Sequence, residues 1–162
     1  MAETKADTAG VIAPPPLLLL IALVLGGALD LAWPLAVLDA PPRIALAALG
    51  GALIVFALFV SLAGSRRFER AGTPVQPWRP STTLVTDGIF AHVRNPMYLG
   101  FLTLTAGLAL VFAGEWLLMA ALALWFVLHT GVVRREERYL TARFGDAYRD
   151  YMRRVPRYGW RF

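Results

Sequence analysis

Glu136-Glu137 is a carboxylate pair set directly after a long apolar run, and Arg94-Asn95-Pro96-Met97-Tyr98-Leu99-Gly100 is a polar cluster set directly before it. Two adjacent carboxylates close to hydrocarbon are costly unless something cationic satisfies them. The cluster supplies a guanidinium, an amide and a phenol within five positions, and the stretch after the pair adds Phe144-Gly145, Tyr148, Tyr151 and Val155-Pro156-Arg157. Residues 101–133 between them are almost wholly apolar. A chain that brackets a hydrophobic hairpin in this way places polar chemistry at a bilayer surface, which points to an enzyme acting on something lipid-like.

Each feature also has a purely structural reading. The pair can be neutralised by Arg134, Arg135, Arg138 or Arg143, as on any solvated helix face. Pro96 is a helix-start signal, and Arg and Tyr are common membrane-boundary anchors. The stretch Thr82-Thr83-Leu84-Val85-Thr86 is either a turn segment or a backbone edge that bonds a ligand. Ionisable residues inside apolar spans are functional candidates by default, and here they are Asp30 and His129. Asp30 falls near the far interface. His129 lies one to two turns before Glu136, where it either packs as a singly bonded side chain or faces a pocket.

The composition sets the frame. In 162 residues, 57% are hydrophobic and 17% charged, and the mean hydropathy is +0.56, which excludes a disordered or ordinary soluble chain. There is no cysteine, and no His/Cys cluster has metal-ligand spacing, so no metal site is expected. The net charge of +5 does not indicate nucleic acid here, because the arginines sit where membrane topology would put them. Glu3 and Asp7 interrupt the basic region that a secretory leader needs, so the first apolar segment is expected to be retained.

A bilayer core of about 30 Å takes roughly 20 apolar residues per helix. The expected fold is all-α: one membrane domain over 1–162 with spans at 17–38, 44–63, 97–113 and 116–133. The last two form a hairpin turning at Gly114-Glu115. A loop at 64–96 and a helix and tail at 134–162 make up the soluble mass, the tail reading as one amphipathic helix to about Arg154. Lys5, five arginines of the loop and nine beyond span four lie on one side, against Arg43 alone on the other. By the positive-inside rule both termini are cytosolic; in a bacterium the membrane is the inner one.

Taken jointly, the polar stretches resemble the isoprenylcysteine carboxyl methyltransferase family and its phospholipid methyltransferase relatives, integral-membrane enzymes that use S-adenosylmethionine. The family pattern reads here as Leu84-Val85-Thr86-Asp87-Gly88-Ile89-Phe90, then Arg94-Asn95-Pro96-Met97-Tyr98-Leu99-Gly100. Glu136-Glu137, Phe144-Gly145-Asp146-Ala147-Tyr148-Arg149-Asp150-Tyr151 and Val155-Pro156 follow in order. The resemblance implies methyl transfer to an amphiphilic or small apolar acceptor, with membrane lipids as surroundings. It implies cofactor contacts at Thr82, Thr83, Leu84, Val85, Phe90, Asn95, Pro96, Met97, Tyr98 and Glu136, in a pocket closed by the central loop and the C-terminal helix. Glu136 would meet the cofactor ammonium, and Phe90 or Tyr98 the adenine face.

Asn95 stands where many members have His, and it cannot titrate. The substrate-contacting Arg of the eukaryotic prenylcysteine enzymes falls in register with Val132, leaving Arg134 and Arg135 as the nearest cations and His129 as a further acceptor-side candidate. No catalytic residue is assigned, because an in-line displacement needs orientation above all. The reading from another class is a non-catalytic scaffold or lipid-binding module on the same fold.

Overall fold

The computed structural model describes residues 8–39 and 41–159; Glu3, Lys5 and Asp7 of the N-terminal charge pattern lie outside them. Its architecture is all-α, with no strand among the described residues. Pro15 opens α1 (Pro15–Ala32) at a first-turn position where no N–H is needed. A second proline step, Pro41-Pro42, precedes α2 (Arg43–Arg70), and Pro96 opens α3 (Pro96–Phe112). The helix α4 (Glu115–Leu128) passes through a π-helical turn, His129–Val133, straight into α5 (Arg134–Phe144). Gly145 adopts φ +56°, a conformation that favours glycine, and the chain bends there into α6 (Asp146–Arg154).

Several expected boundaries move. Span one ends at Ala32 rather than at 38, and a short 3-10 turn, Val37–Asp39, lies beyond it. Span two does not stop at 63, because α2 continues to Arg70 and converts the start of the expected loop into helix. The hairpin turns at Ala113-Gly114, with Ala113 left-handed at φ 51°, and Glu115 already belongs to α4. The tail is two helices rather than one, since its amphipathic period runs on through Gly145 while its backbone does not.

Outward faces are apolar, as a bilayer requires: Leu31 is 89% exposed, Ile44 82% and Phe112 70%. Three helices, Pro15–Ala32, Arg43–Arg70 and Glu115–Phe144, are long and apolar enough to cross a membrane, each holding an 18-residue stretch of mean hydropathy 2.1, 2.5 and 2.0 respectively. The fourth apolar helix, α3, has 17 residues. At 1.5 Å per residue that is about 25 Å, a little under the hydrocarbon thickness.

Without a hydrophobic drive inside lipid, close backbone approach holds helices together. α2 packs along α3, and α1 along α4. At the α2–α3 crossing, a Cβ on Gly50 would lie 2.6 Å from the Gly107 carbonyl oxygen, and one on Gly107 would lie 2.8 Å from that of Gly50. Asp30 serves structure: its carboxylate accepts the Trp116 and Leu117 N–H groups at 2.9 and 3.1 Å, capping the start of α4 from α1. Glu115 accepts the Leu38 N–H at 2.8 Å.

The paired glycines generate a first prediction. Gly50→Ala, forced against backbone, is expected to cost about 1–3 kcal/mol as overpacking. Gly51→Ala, with nothing within 4 Å of its new methyl, should hold or raise the melting temperature in detergent. Equal melting temperatures would contradict this packing.

Candidate active site

Three segments converge at the N-terminal end of α3. The loop after α2 supplies residues 73–95, the π turn and α5 supply the carboxylates, and α6 with its tail supplies tyrosines and Arg157. The stitching is direct. Arg94 N–H donates to the Pro156 carbonyl at 2.9 Å, and Asn95 N–H to that of Arg157 at 3.2 Å. The Asn95 side chain reaches the same Arg157 oxygen at 3.3 Å, and the Tyr151 hydroxyl donates to the Phe90 carbonyl at 2.6 Å.

The adjacent carboxylates part company. Glu137 is buried: Arg94 Nη1 lies 2.7 Å from its Oε1, and Arg157 donates through Nε at 2.8 Å and Nη2 at 2.6 Å. Its partners are therefore distant arginines, not the neighbouring Arg134, Arg135, Arg138 or Arg143 considered from local sequence. The Glu137 hydrogen bonds, more than any other cause, raise Arg157 above its ordinary pKa, so that guanidinium stays charged. Glu136 is half-buried and accepts a 2.5 Å hydrogen bond from the Tyr98 hydroxyl. Among the described residues no cation lies within ion-pair distance of it.

Glu136 and Tyr98 line a narrow cavity of about 90 Å³. Nine of the ten positions expected to touch cofactor also line it: Thr83, Leu84, Val85, Phe90, Asn95, Pro96, Met97, Tyr98 and Glu136. Thr82 does not. Its N–H donates to Thr73 Oγ1 at 3.1 Å and its hydroxyl to the Gly72 carbonyl at 3.2 Å, which closes the turn. Phe90 is buried with its ring edge-on to Phe68, centroids 4.9 Å apart. The cavity wall also includes Tyr139, Tyr148 and Tyr151, to which no role had been assigned; Tyr148 and Tyr151 stood in the quoted motif. Burial pushes the Tyr148 hydroxyl up to about 12, with the Glu137 carboxylate adding to the effect, so the phenol stays neutral.

The cavity has a roof that the sequence did not announce. Ala9 lines it, and its N–H donates to the Pro77 carbonyl at 3.4 Å. Arg135 Nη1 donates to the Gly10 carbonyl at 2.8 Å, and Ile12 N–H to that of Gly131 at 3.3 Å. Gly131 lies in the π turn, and the Ile12 side chain fills the place a Cβ would take there, 2.3 Å away.

The acceptor-side candidates lie elsewhere. His129 faces a separate cleft of about 820 Å³ between α3 and α4, with Nδ1 3.3 Å from the Tyr158 hydroxyl. Arg134 is exposed and Arg135 half-buried, and both line a third groove beside α5. Val132 is fully buried among Tyr98, Leu124, Leu128 and Val133.

Residues 45–147 match the phospholipid methyltransferase family, and the chain belongs to it. It is also similar to the protein-S-isoprenylcysteine O-methyltransferase of Schizosaccharomyces pombe, 40% identical over 75 residues that cover 45% of this chain and 31% of that protein. The chain thus spans about a third of that relative's length. No solved structure matches it.

The divided carboxylates yield a second prediction. Glu137→Gln leaves Arg94 as an unpaired cation with its side chain only 9% exposed, and should cost about 3 kcal/mol, the low end for breaking a buried pair because Arg157 is 39% exposed. Glu136→Gln keeps an acceptor for Tyr98 and should change stability by less than about 1 kcal/mol. Thermal melts of the two variants in the same detergent measure the difference; equal destabilisation would refute the assignment of separate roles.

Proposed function

We propose that the protein transfers a methyl group from S-adenosylmethionine to an amphiphilic or small apolar acceptor at the cytosolic surface of the membrane. The observation that carries this reading is Glu136, a half-buried carboxylate lining a cavity and bonded, among the described residues, only to the Tyr98 phenol. A carboxylate so placed fits the ammonium of the cofactor. The backbone around Thr83–Val85, which lies outside any helix, and the Asn95 amide fit polar adenine edges. S-adenosylmethionine, when bound, supplies an electrophilic methyl group on a sulfonium. The protein's part is then to hold and orient, since alignment can account for much of the rate of such a displacement.

The cavity of about 90 Å³ is well below the usual ligand pocket of about 300–1,000 Å³. Binding therefore requires the segment over residues 9–12 to lift from Pro77 and Gly131. Three hydrogen bonds, one of them at 3.4 Å, are a light restraint on that movement.

The acceptor reaches the site through the cleft between α3 and α4, whose walls include Leu99, Leu102, Trp125, His129 and Tyr158. Arg94 lines both this cleft and the cofactor cavity, which makes it the partition between them. Val132, at the position that carries the substrate-contacting Arg in the eukaryotic prenylcysteine enzymes, is packed in the apolar core. That favours an uncharged apolar acceptor over a free prenylcysteine carboxylate. The arginine distribution supports cytosolic termini, a cytosolic loop and four crossings.

Two outcomes are expected. By calorimetry with S-adenosylhomocysteine, Glu136→Gln should weaken binding by about 1.5–3 kcal/mol, the scale of a charge-assisted hydrogen bond. No detectable binding to the wild type would favour a scaffold instead. Reporter domains fused after Gly159 and inserted near Pro41 should read opposite sides of the membrane, and the same side at both would remove the four-span arrangement.

A further inference from the structure

Beside α5 runs a groove of about 780 Å³ that takes no part in the cofactor cavity apart from a shared wall at Glu137. Its lining includes Arg134, Arg135, Arg138, Arg149, Arg157 and the Thr141 hydroxyl. Its one carboxylate, Glu137, is already taken by Arg94 and Arg157. Arg149 pairs with Asp146, and Arg135 donates to the neutral Gly10 carbonyl, which offsets no charge. Arg134 and Arg138, one turn apart and both exposed, form no ion pair among the described residues. Arg138 Nε donates to the Arg134 carbonyl at 3.3 Å, and the four-residue spacing puts both residues on one face of α5.

The position of this groove identifies its occupant. Below it on α4, Leu122 and Phe126 are each 62% exposed, an apolar face suited to acyl chains. The Thr130 hydroxyl donates to the Phe126 carbonyl at 2.7 Å, so the groove begins one turn above that face. A lipid whose chains lie along Leu122 and Phe126 therefore carries its phosphate to the level of Arg134 and Arg138. A zwitterionic headgroup would bring its own cation into a groove that already holds uncompensated positive charge. We propose that this groove is a binding site for the headgroup of an anionic glycerophospholipid, outside the cofactor cavity and bordering the acceptor cleft, with which it shares Met152 and Arg157.

The test is lipid binding to the full chain in detergent, read by native mass spectrometry during titration with phosphatidylglycerol or phosphatidylcholine. The wild type should retain phosphatidylglycerol in preference to phosphatidylcholine. Arg134→Gln with Arg138→Gln should weaken that binding by about tenfold or more, since each basic side chain near an anionic surface contributes appreciably. Arg66→Gln with Arg70→Gln removes the same charge from exposed positions at the end of α2 and should leave the affinity within about twofold. Arg134→Lys with Arg138→Lys, which keeps the charge, should retain most of the binding. Equal loss in the two glutamine pairs, no preference between the lipids, or displacement of phosphatidylglycerol by millimolar inorganic phosphate would each overturn the proposal.

Discussion

The buried carboxylate of Glu137 is the interaction on which the polar half of the molecule depends. It sits one helical step from Glu136 and draws in two arginines from opposite ends of the polar region, Arg94 before α3 and Arg157 after α6. Each brings its backbone with it, and the result is the pairing of residues 94–95 with 156–157. That pairing seats α6 against the loop, so Tyr151 can reach the Phe90 carbonyl. Breaking such a pair costs far more than making it yields, because an orphaned charge remains in a poorly solvated place. The triad accordingly specifies one arrangement of three segments that are weakly structured by themselves.

With Glu137 committed to structure, Glu136 is left facing the cavity. The two share a helix and differ by the direction in which their side chains leave it, one toward arginines and the other toward Tyr98 and the cavity. The π turn just before them contributes to this placement. Its i→i+5 pattern inserts an additional residue into the helical path, which rotates α5 relative to α4, and its Gly131 carbonyl accepts the Ile12 N–H. The same turn thus positions the carboxylates and docks the segment that roofs their cavity.

Much of this was legible in the sequence. The prolines at 15, 42 and 96 mark the starts of α1, α2 and α3, because proline fixes φ and lacks an N–H that those positions do not need. The motif residues of the loop and of α3 converge on one cavity, with Thr82 turned away by its hydrogen bonds to Thr73 and Gly72. What escaped depended on long-range contact. Local spacing offered Arg134 and Arg138 as partners for the carboxylates, whereas the partners come from 94 and 157. The continuation of α2 to Arg70 was hidden because polar residues replace apolar ones there without any helix breaker. The π turn, His129–Val133, carries no helix-breaking signal that would mark it in the sequence between α4 and α5. The roof over the cavity rests on backbone bonds from residues 9–12, which side-chain identity does not encode.

The central claim is that the Tyr98–Glu136 cavity holds S-adenosylmethionine, and ultraviolet cross-linking of the methyl-labelled cofactor to the full chain, followed by peptide mapping, tests it most directly. The account predicts saturable labelling, suppressed by S-adenosylhomocysteine, on peptides that contain the 83–98 stretch or Glu136. Labelling confined to peptides of the α3–α4 cleft, or none that S-adenosylhomocysteine can suppress, would contradict it.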